Sequence, residues 1–226
     1  NPRFDMQQIA LDIGIARLPS LEDYLAGPNE AALAKLRECL GSKNTFVPLY
    51  LWGPAASGKS HLLRAAYEQL NLRGLTVGWM NAQTPACEFD ESWGAIVMDD
   101  VQDYDEQQQQ QAFSWMVQAQ SAQILVLAAG LWPPIDLRVR EDLRNRLGWG
   151  HVFALEVLSE DQRRAVLRHE ADARGIFLSD DVLDFMLKHF QRDLSSLMQL
   201  LEQIDGYALY AKRAVTVPLI KNMLIN

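Results

Sequence analysis

Eight residues, GPAASGKS from Gly53 to Ser60, carry the spacing G-x-x-x-x-G-K-[ST], and each fixed position has a use in holding a string of phosphates. Glycines let the chain turn so that successive backbone N–H groups face one anion, a lysine adds positive charge, and a hydroxyl can enter the coordination shell of magnesium. This reading places Gly53, Pro54, Ala55, Ala56, Ser57, Gly58, Lys59 and Ser60 on bound phosphates, with His61 in the first helical turn beside them. The spacing by itself has many chance matches. Its setting between an apolar run, Val47 to Trp52, and a helix-forming run from His61 to Gly74 separates it from an ordinary glycine turn.

A phosphate loop calls for a carboxylate at the end of a neighbouring apolar strand, where it holds the metal or its water shell. IVMDD supplies Asp99 for that role and Asp100 as the candidate to orient or deprotonate an attacking water. The charge that spreads over a γ-phosphate also asks for cations. Arg144 and Arg146 in EDLRNRLGWG and Arg192 ahead of a C-terminal helix are available, although an arginine taken singly is more often a solvated surface residue. The four histidines and the two cysteines, Cys39 and Cys87, show no metal-ligand spacing, and the cysteines read as small apolar residues in a reducing compartment.

The elements that must position these residues follow from periodicity. Ala32, Leu33, Leu36 and Leu40 recur at helical spacing until Gly41. Apolar strands over Val47–Trp52, Leu75–Asn81, Gly94–Asp100, Gln123–Gly130 and His151–Val157 alternate with helices, one over Asp105–Ala122 with the stripe Phe113, Met116 and Val117, another over Leu137–Leu147. Strands apolar nearly throughout and alternating with helices predict an α/β domain whose parallel sheet is covered on both faces. After Val157 only helical patterns remain. Ser159 and Gln162 form a capping box opening a helix to about Arg174, Ser179 caps a second over Asp181–Phe190, Asp193 opens a third, and Thr216-Val-Pro218 starts a short last one. The expected organisation is an N-terminal segment over 1–18, a nucleotide-binding α/β domain over 19–157 and a small helical domain over 158–226.

A chain of 226 residues with 49% hydrophobic content can build both cores, and a formal charge of −8 argues against a broad phosphate-binding face. The lack of an apolar run near membrane-spanning length, and of a charged segment followed by an apolar one at the start, predicts a cytoplasmic protein without a membrane partner.

LEDYLAGPNEAAL, LYLWGPAASGKSHLL, IVMDDVQ, ILVLAAGLWPP, LRNRLGWG and RDLSSLMQLLEQID, in this order, resemble the AAA+ domain of the DnaA family, and more closely the branch of that family that inactivates the initiator. The resemblance implies a five-stranded parallel sheet followed by an all-helical lid, binding ADP or ATP with Mg²⁺. It implies that Tyr24, Leu25 and Asn29 lie near adenine and ribose, that Asp99 and Asp100 are the Walker B pair, and that Arg192 is the lid's sensor arginine. It makes Arg146 an arginine finger, catalytic in trans on nucleotide held by a neighbouring subunit. The implied partners are ATP-bound DnaA and the sliding clamp, the DNA polymerase III beta subunit, with a homo-oligomer as a further candidate.

Two departures from the family pattern carry consequences. The initiator continues past its lid into a helix-turn-helix domain, whereas nothing after Ser179 offers a basic recognition helix beyond Lys212 and Arg213, so sequence-specific DNA binding is not expected. The strand whose end would place the attacking water finishes in Ala128-Ala129-Gly130, three residues without a side-chain donor or acceptor. Weak intrinsic ATP hydrolysis is the expected result. The leading reading is an activator of hydrolysis on DnaA; the alternatives are a nucleotide-gated adaptor or loading factor and, further off, a small-molecule kinase.

One stretch lies outside this scheme. QIALDI alternates apolar residues as an edge strand would, yet Gln8, Leu11 and Ile13 also fit Q-x-x-L-x-[aliphatic or aromatic], a peptide type that docks on the sliding clamp.

Overall fold

The apolar runs pair as a five-stranded parallel sheet. A computed structural model describes residues 18–24, 26–42, 47–189, 194–211 and 214–225. The strands β1 (Leu49–Trp52), β2 (Thr76–Met80), β3 (Trp93–Met98), β4 (Leu125–Gly130) and β5 (His151–Ala154) lie in the order β2-β3-β4-β1-β5, all pairings parallel. β1 therefore sits between β4 and β5, and the chain leaves it to cross to the far side of the sheet. In open parallel sheets a ligand binds beyond the strand ends at such a reversal. The loop Gly53–Ser60 follows β1 at that place.

Strand periodicity sorts the core into two layers. Leu49 and Leu51 of β1, with Ala95 and Val97 of β3, face Leu36 of α1 (Glu30–Gly41) and Leu62, Leu63 and Ala66 of α2 (Lys59–Leu72). Tyr50, Ile96 and Met98 point the other way, onto Trp115 and Met116 of α3 (Glu106–Ala122) and Leu143 and Leu147 of α4 (Glu141–Leu147).

Several boundaries differ from the sequence expectation. β3 stops at Met98, so Asp99 and Asp100 lie past the strand rather than within it. β5 is an edge strand only four residues long, with Val152 37% exposed, and the expected cover on both faces does not extend to it. α4 begins at Glu141 instead of residue 137. Pro134 opens a 3-10 turn to Asp136, and Leu137 enters the core as an extended residue. On α3 the buried stripe is Ala112, Trp115, Met116 and Ala119, while Phe113 is only half-buried. Trp115 is the largest apolar group on that helix, and its indole N–H finds the Cys87 carbonyl at 2.9 Å, which removes the polar cost of burying it.

Residues from Ser159 onward form a separate helical unit, comprising α5 (Glu160–Ala173), α6 (Asp180–His189), α7 (Leu194–Ala211) and α8 (Val217–Ile225). Ser159 Oγ accepts from Gln162 N at 3.1 Å, and Gln162 Oε1 accepts from Ser159 N at 2.8 Å, closing the capping box read from the sequence. Leu167, Leu183, Met186, Leu197, Leu201 and Ile204 are buried here. Arg164 and Arg168 pair with Asp180 and Asp184 across α5 and α6, but these partners are exposed and contribute little to stability. Among the described residues no helix is long and apolar enough to cross a membrane.

Candidate nucleotide site

The loop after β1 is shaped by two left-handed residues, Ala56 at φ 65° and Gly58 at φ 92°. Such backbone turns successive N–H groups toward one side, and the helix that begins at Lys59 adds its own unpaired N–H groups. Gly58 has a second constraint: a Cβ there would collide with the Tyr24 ring. Gly53 N donates to Gly130 O at 3.2 Å, anchoring the loop to the end of β4. Lys59, only 6% exposed, folds back into the loop and donates from Nζ to Gly53 O at 2.7 Å, Pro54 O at 2.8 Å and Ser57 Oγ at 3.4 Å. Burial lowers the Lys59 pKa, and the carboxylates of Asp99 and Asp100 oppose that shift.

Asp99 is buried, and its carboxylate accepts from the Ser60 hydroxyl and, at 2.9 Å, from Asp100 N. A hydroxyl and a carboxylate brought together in this way suit Mg²⁺, a hard ion that takes one or two protein oxygens and completes its shell with phosphates and water. Burial raises the Asp99 carboxyl above its ordinary value of 3.8, the neighbouring Asp100 adding to the shift while the two hydrogen bonds and Lys59 oppose it. Asp100 itself adopts φ 51°, ψ 45°, a left-handed conformation that aspartate tolerates better than most residues, and it leads into the 3-10 turn Val101–Asp103.

The raised carboxyl has a measurable sign. The folded state holds the Asp99 proton more tightly than the unfolded state does, so stability is lost as pH rises from 3.8 through the folded value. Asp99→Asn is therefore expected to raise the melting midpoint of the ligand-free protein at pH 7, with no gain at pH below 3.8. The same change will weaken Mg²⁺-dependent ATP binding on the order of tenfold or more. Thermal unfolding at both pH values, with and without Mg²⁺-ATP, checks both effects.

Beside the loop, Tyr24 donates its hydroxyl to Ser57 O at 3.1 Å and accepts from Asn29 Nδ2 at 3.0 Å. Burial pushes its pKa up to about 12, against the opposing effect of the Asn29 bond. Asn29 also grips the backbone of one residue far along the chain, donating to Glu156 O and accepting from Glu156 N, both at 2.8 Å. Its amide is thus engaged at both ends, and within the chain it braces Tyr24. His61 Nε2 lies 2.9 Å from Ser20 O, which places the ring proton on that nitrogen, and its ring stacks on Tyr24 with centroids 6.2 Å apart. Leu25, Arg192 and the clamp-type residues Gln8, Leu11 and Ile13 lie outside the described residues.

At the end of β4, Ala128, Ala129 and Gly130 are buried and bring no polar side chain to the site. Gln102 closes the quoted stretch IVMDDVQ, but the sequence reading gives it no role, although a polar side chain two residues past paired carboxylates is a signal for one. Its amide accepts from Leu131 N at 3.0 Å and donates to Asp103 Oδ2 at 2.9 Å and Asp100 Oδ1 at 3.5 Å.

Arg146 is not brought to this site. It occupies the last turn of α4, where Nη1 donates to Gln120 Oε1 at 2.6 Å and the guanidinium lies 5.4 Å from the centre of the Phe113 ring. Gln120 has no place in the sequence reading, and Phe113 enters it only as part of a helix stripe. Next to Arg146 is an open cavity of about 340 Å³, lined also by Pro48, Met116, Val126 and Trp149. Pro48 precedes β1 and Val126 is near the start of β4. The arginine therefore sits toward the N-terminal ends of the strands, and the loop Gly53–Ser60 at the C-terminal ends. Arg144 is directed at its own helix's approach, donating to Leu137 O at 3.4 Å.

Residues 160–224 match the family described as Hda, lid domain. The fold is similar to domain III of the replication initiation protein DnaA from Thermotoga maritima, with a TM-score of 0.67 and 19% identity over 92% of this chain and 98% of that one. AMPPCP-bound DnaA from Aquifex aeolicus gives a TM-score of 0.67 and 22% identity over 82% of this chain and 64% of that one. The RuvB Holliday junction branch migration motor of Thermotoga maritima gives 0.58 and 13% identity, over 92% and 72%. The chain thus spans 64% of the length of the nucleotide-bound DnaA it resembles. An α/β AAA+ domain followed by a helical lid is the shared architecture.

Proposed function

We propose that this chain, a DnaA-related AAA+ protein whose residues 160–224 form an Hda-type lid, is a nucleotide-bound regulator of replication initiation that stimulates ATP hydrolysis on DnaA. The position of Arg146 carries the reading. It is a partly exposed cation beside an open cavity, toward the opposite strand ends from the chain's own loop at Gly53–Ser60, with Nη1 bonded to Gln120 and the guanidinium over the Phe113 ring. Phosphoryl transfer to water spreads charge over the equatorial γ-phosphate oxygens, and a guanidinium introduced from a neighbouring molecule stabilises that charge without taking part in bond making. Conversion of DnaA to its ADP form then limits initiation.

The chain's own site holds ADP or ATP through Gly53–Ser60, with Ser60 and Asp99 as the Mg²⁺ partners and Arg192 in the role of sensor arginine. Magnesium, when bound, would neutralise charge on the phosphates. Tyr24, Leu25, Asn29 and His61 form the adenine side. In this reading the bound nucleotide serves as a structural ligand with slow turnover, because β4 ends without a polar side chain. Gln8, Leu11 and Ile13 tether the protein to a sliding clamp on DNA in the cytoplasm, the glutamine filling a polar notch and the two apolar residues a hydrophobic pocket.

The test is the loss of ATP from purified DnaA in the presence of DNA-loaded clamp, with and without this chain. Faster loss with the chain is expected; equal rates would sink the reading. Gln8→Ala with Leu11→Ala should abolish clamp pull-down and stimulation together while leaving nucleotide affinity unchanged. The second reading is a nucleotide-gated adaptor that recruits DnaA or replisome partners without acting on their nucleotide. Trp149 favours it, being 55% exposed beside Arg146, a placement suited to docking as much as to catalysis.

A further inference from the structure

Hydrolysis at the chain's own loop would require a polar group to steer the attacking water, and the strand beside β3 offers none at Ala128, Ala129 or Gly130. The space that a side chain at position 130 would occupy is already filled. A Cβ built on Gly130 falls 2.5 Å from the Tyr50 hydroxyl and 3.2 Å from Gln102 Oε1. The Tyr50 hydroxyl is committed to Trp132 O at 2.6 Å, which leaves the Gln102 amide as the polar group with a donor to direct. Its orientation is not arbitrary. The backbone N–H of Leu131 can only donate, so it must meet Oε1, here at 3.0 Å. That fixes Nε2 toward the carboxylates of Asp103 and Asp100, at 2.9 and 3.5 Å.

We propose that Gln102 is the positioning residue of this site. Its amide, locked by Leu131 N, stands where a side chain from the end of β4 would stand and aims the Asp100 carboxylate at the attacking water. Asp100 needs such a guide, because its left-handed backbone places it at a turn, and among the described residues the side-chain donor recorded on its carboxylate is Gln102 Nε2. In the step itself the water oxygen bonds to the γ-phosphorus as the bridging P–O bond breaks, and that electron pair leaves on the β-phosphate of ADP. The water proton passes to Asp100 and from there to the released phosphate. The inference rests on the reading of Gly53–Ser60 as an ATP site, and it assigns what turnover the chain has to an interaction outside the loop.

Two substitutions test it on the full chain. Gln102→Ala removes the amide. Gln102→Glu has the same shape and keeps an acceptor for Leu131 N, but it loses the donor toward Asp100. ATP affinity is measured with a fluorescent ATP analogue, and hydrolysis is followed in a single turnover of preloaded Mg²⁺-ATP. Both variants should hydrolyse about 10–100-fold more slowly than the unaltered chain, the scale on which a positioned donor acts, with affinity held within about twofold. Wild-type turnover in either variant overturns the proposal. So does a Gln102→Glu protein that hydrolyses normally while Gln102→Ala does not, since the amide would then only hold the end of β4; so does a parallel fall of affinity and rate. An unaltered chain that binds ATP and never hydrolyses it also overturns the proposal, whereas one that binds no ATP defeats the reading of the site itself.

Discussion

Alanine in place of Arg146 will return ATP hydrolysis on DnaA to the rate of DnaA alone, while this chain binds its own nucleotide as before. Where an arginine supplied in trans has been dissected in GTPases it accounts for about 10³–10⁵ in rate, and a loss on the order of 10³-fold is the expectation. The selectivity follows from position. Arg146 contacts Gln120 and Phe113 near the N-terminal ends of the strands and makes no bond to the phosphate loop. Its partners are a partly exposed amide and the face of one ring, so their loss changes stability little. Arg146→Lys should fail nearly as badly, because a point charge on a flexible stem cannot reproduce the planar fork that meets two phosphate oxygens at once. Stimulation measured with clamp-loaded DNA and an excess of each variant checks both. Full stimulation by Arg146→Ala would remove the guanidinium as the source of the effect, whereas partner binding without stimulation, the same in the unaltered chain and in Arg146→Ala, would favour the adaptor reading.

Lys59→Ala is expected to have the second large effect, on nucleotide binding. ATP and ADP affinity should fall by about 100-fold or more, equivalent to about 2.7 kcal/mol or more. Two losses add. The ammonium is the charge nearest the phosphates, and charge-assisted hydrogen bonds are the strong ones. Without ligand the same nitrogen also holds Gly53 O, Pro54 O and Ser57 Oγ, so alanine leaves three acceptors of the loop without their donor. The replacement therefore disorganises the loop as well as discharging it. Titration with a fluorescent nucleotide measures the affinity, and the thermal shift produced by millimolar ATP should disappear with it. A variant that kept wild-type affinity would remove Gly53–Ser60 as the binding site.

Much of the fold was legible because it is written in local pattern. The five apolar runs became five strands, and the box at Ser159 and Gln162 formed as its spacing required. Leu49 and Leu51 on one face with Tyr50 on the other is a period-two consequence that needs no tertiary information. The misreadings came where burial competes among several residues of one element. Phe113 and Trp115 both fit helical stripes, and only packing against Trp93, at a ring separation of 4.6 Å, puts Trp115 in the core. The half-exposed face of β5 was equally hidden, since an edge strand and an inner one can share an apolar composition.

By itself the sequence determined the place of the loop Gly53–Ser60 between a strand and a helix, the carboxylates after β3 and the division into a strand-helix region and a helical one. All of these depend on residues within a few positions of each other, where backbone preference and side-chain spacing act directly. Only the tertiary structure decided which strand ends meet, and with them the companions of each functional group. Asn29 grips Glu156 across 127 positions, Gln102 closes on Leu131 across 29, and Arg146 finds Gln120 across 26. Those meetings follow from the order β2-β3-β4-β1-β5. Strand order is set by which long crossovers bury the most apolar surface together, a property of the whole chain that no local spacing records.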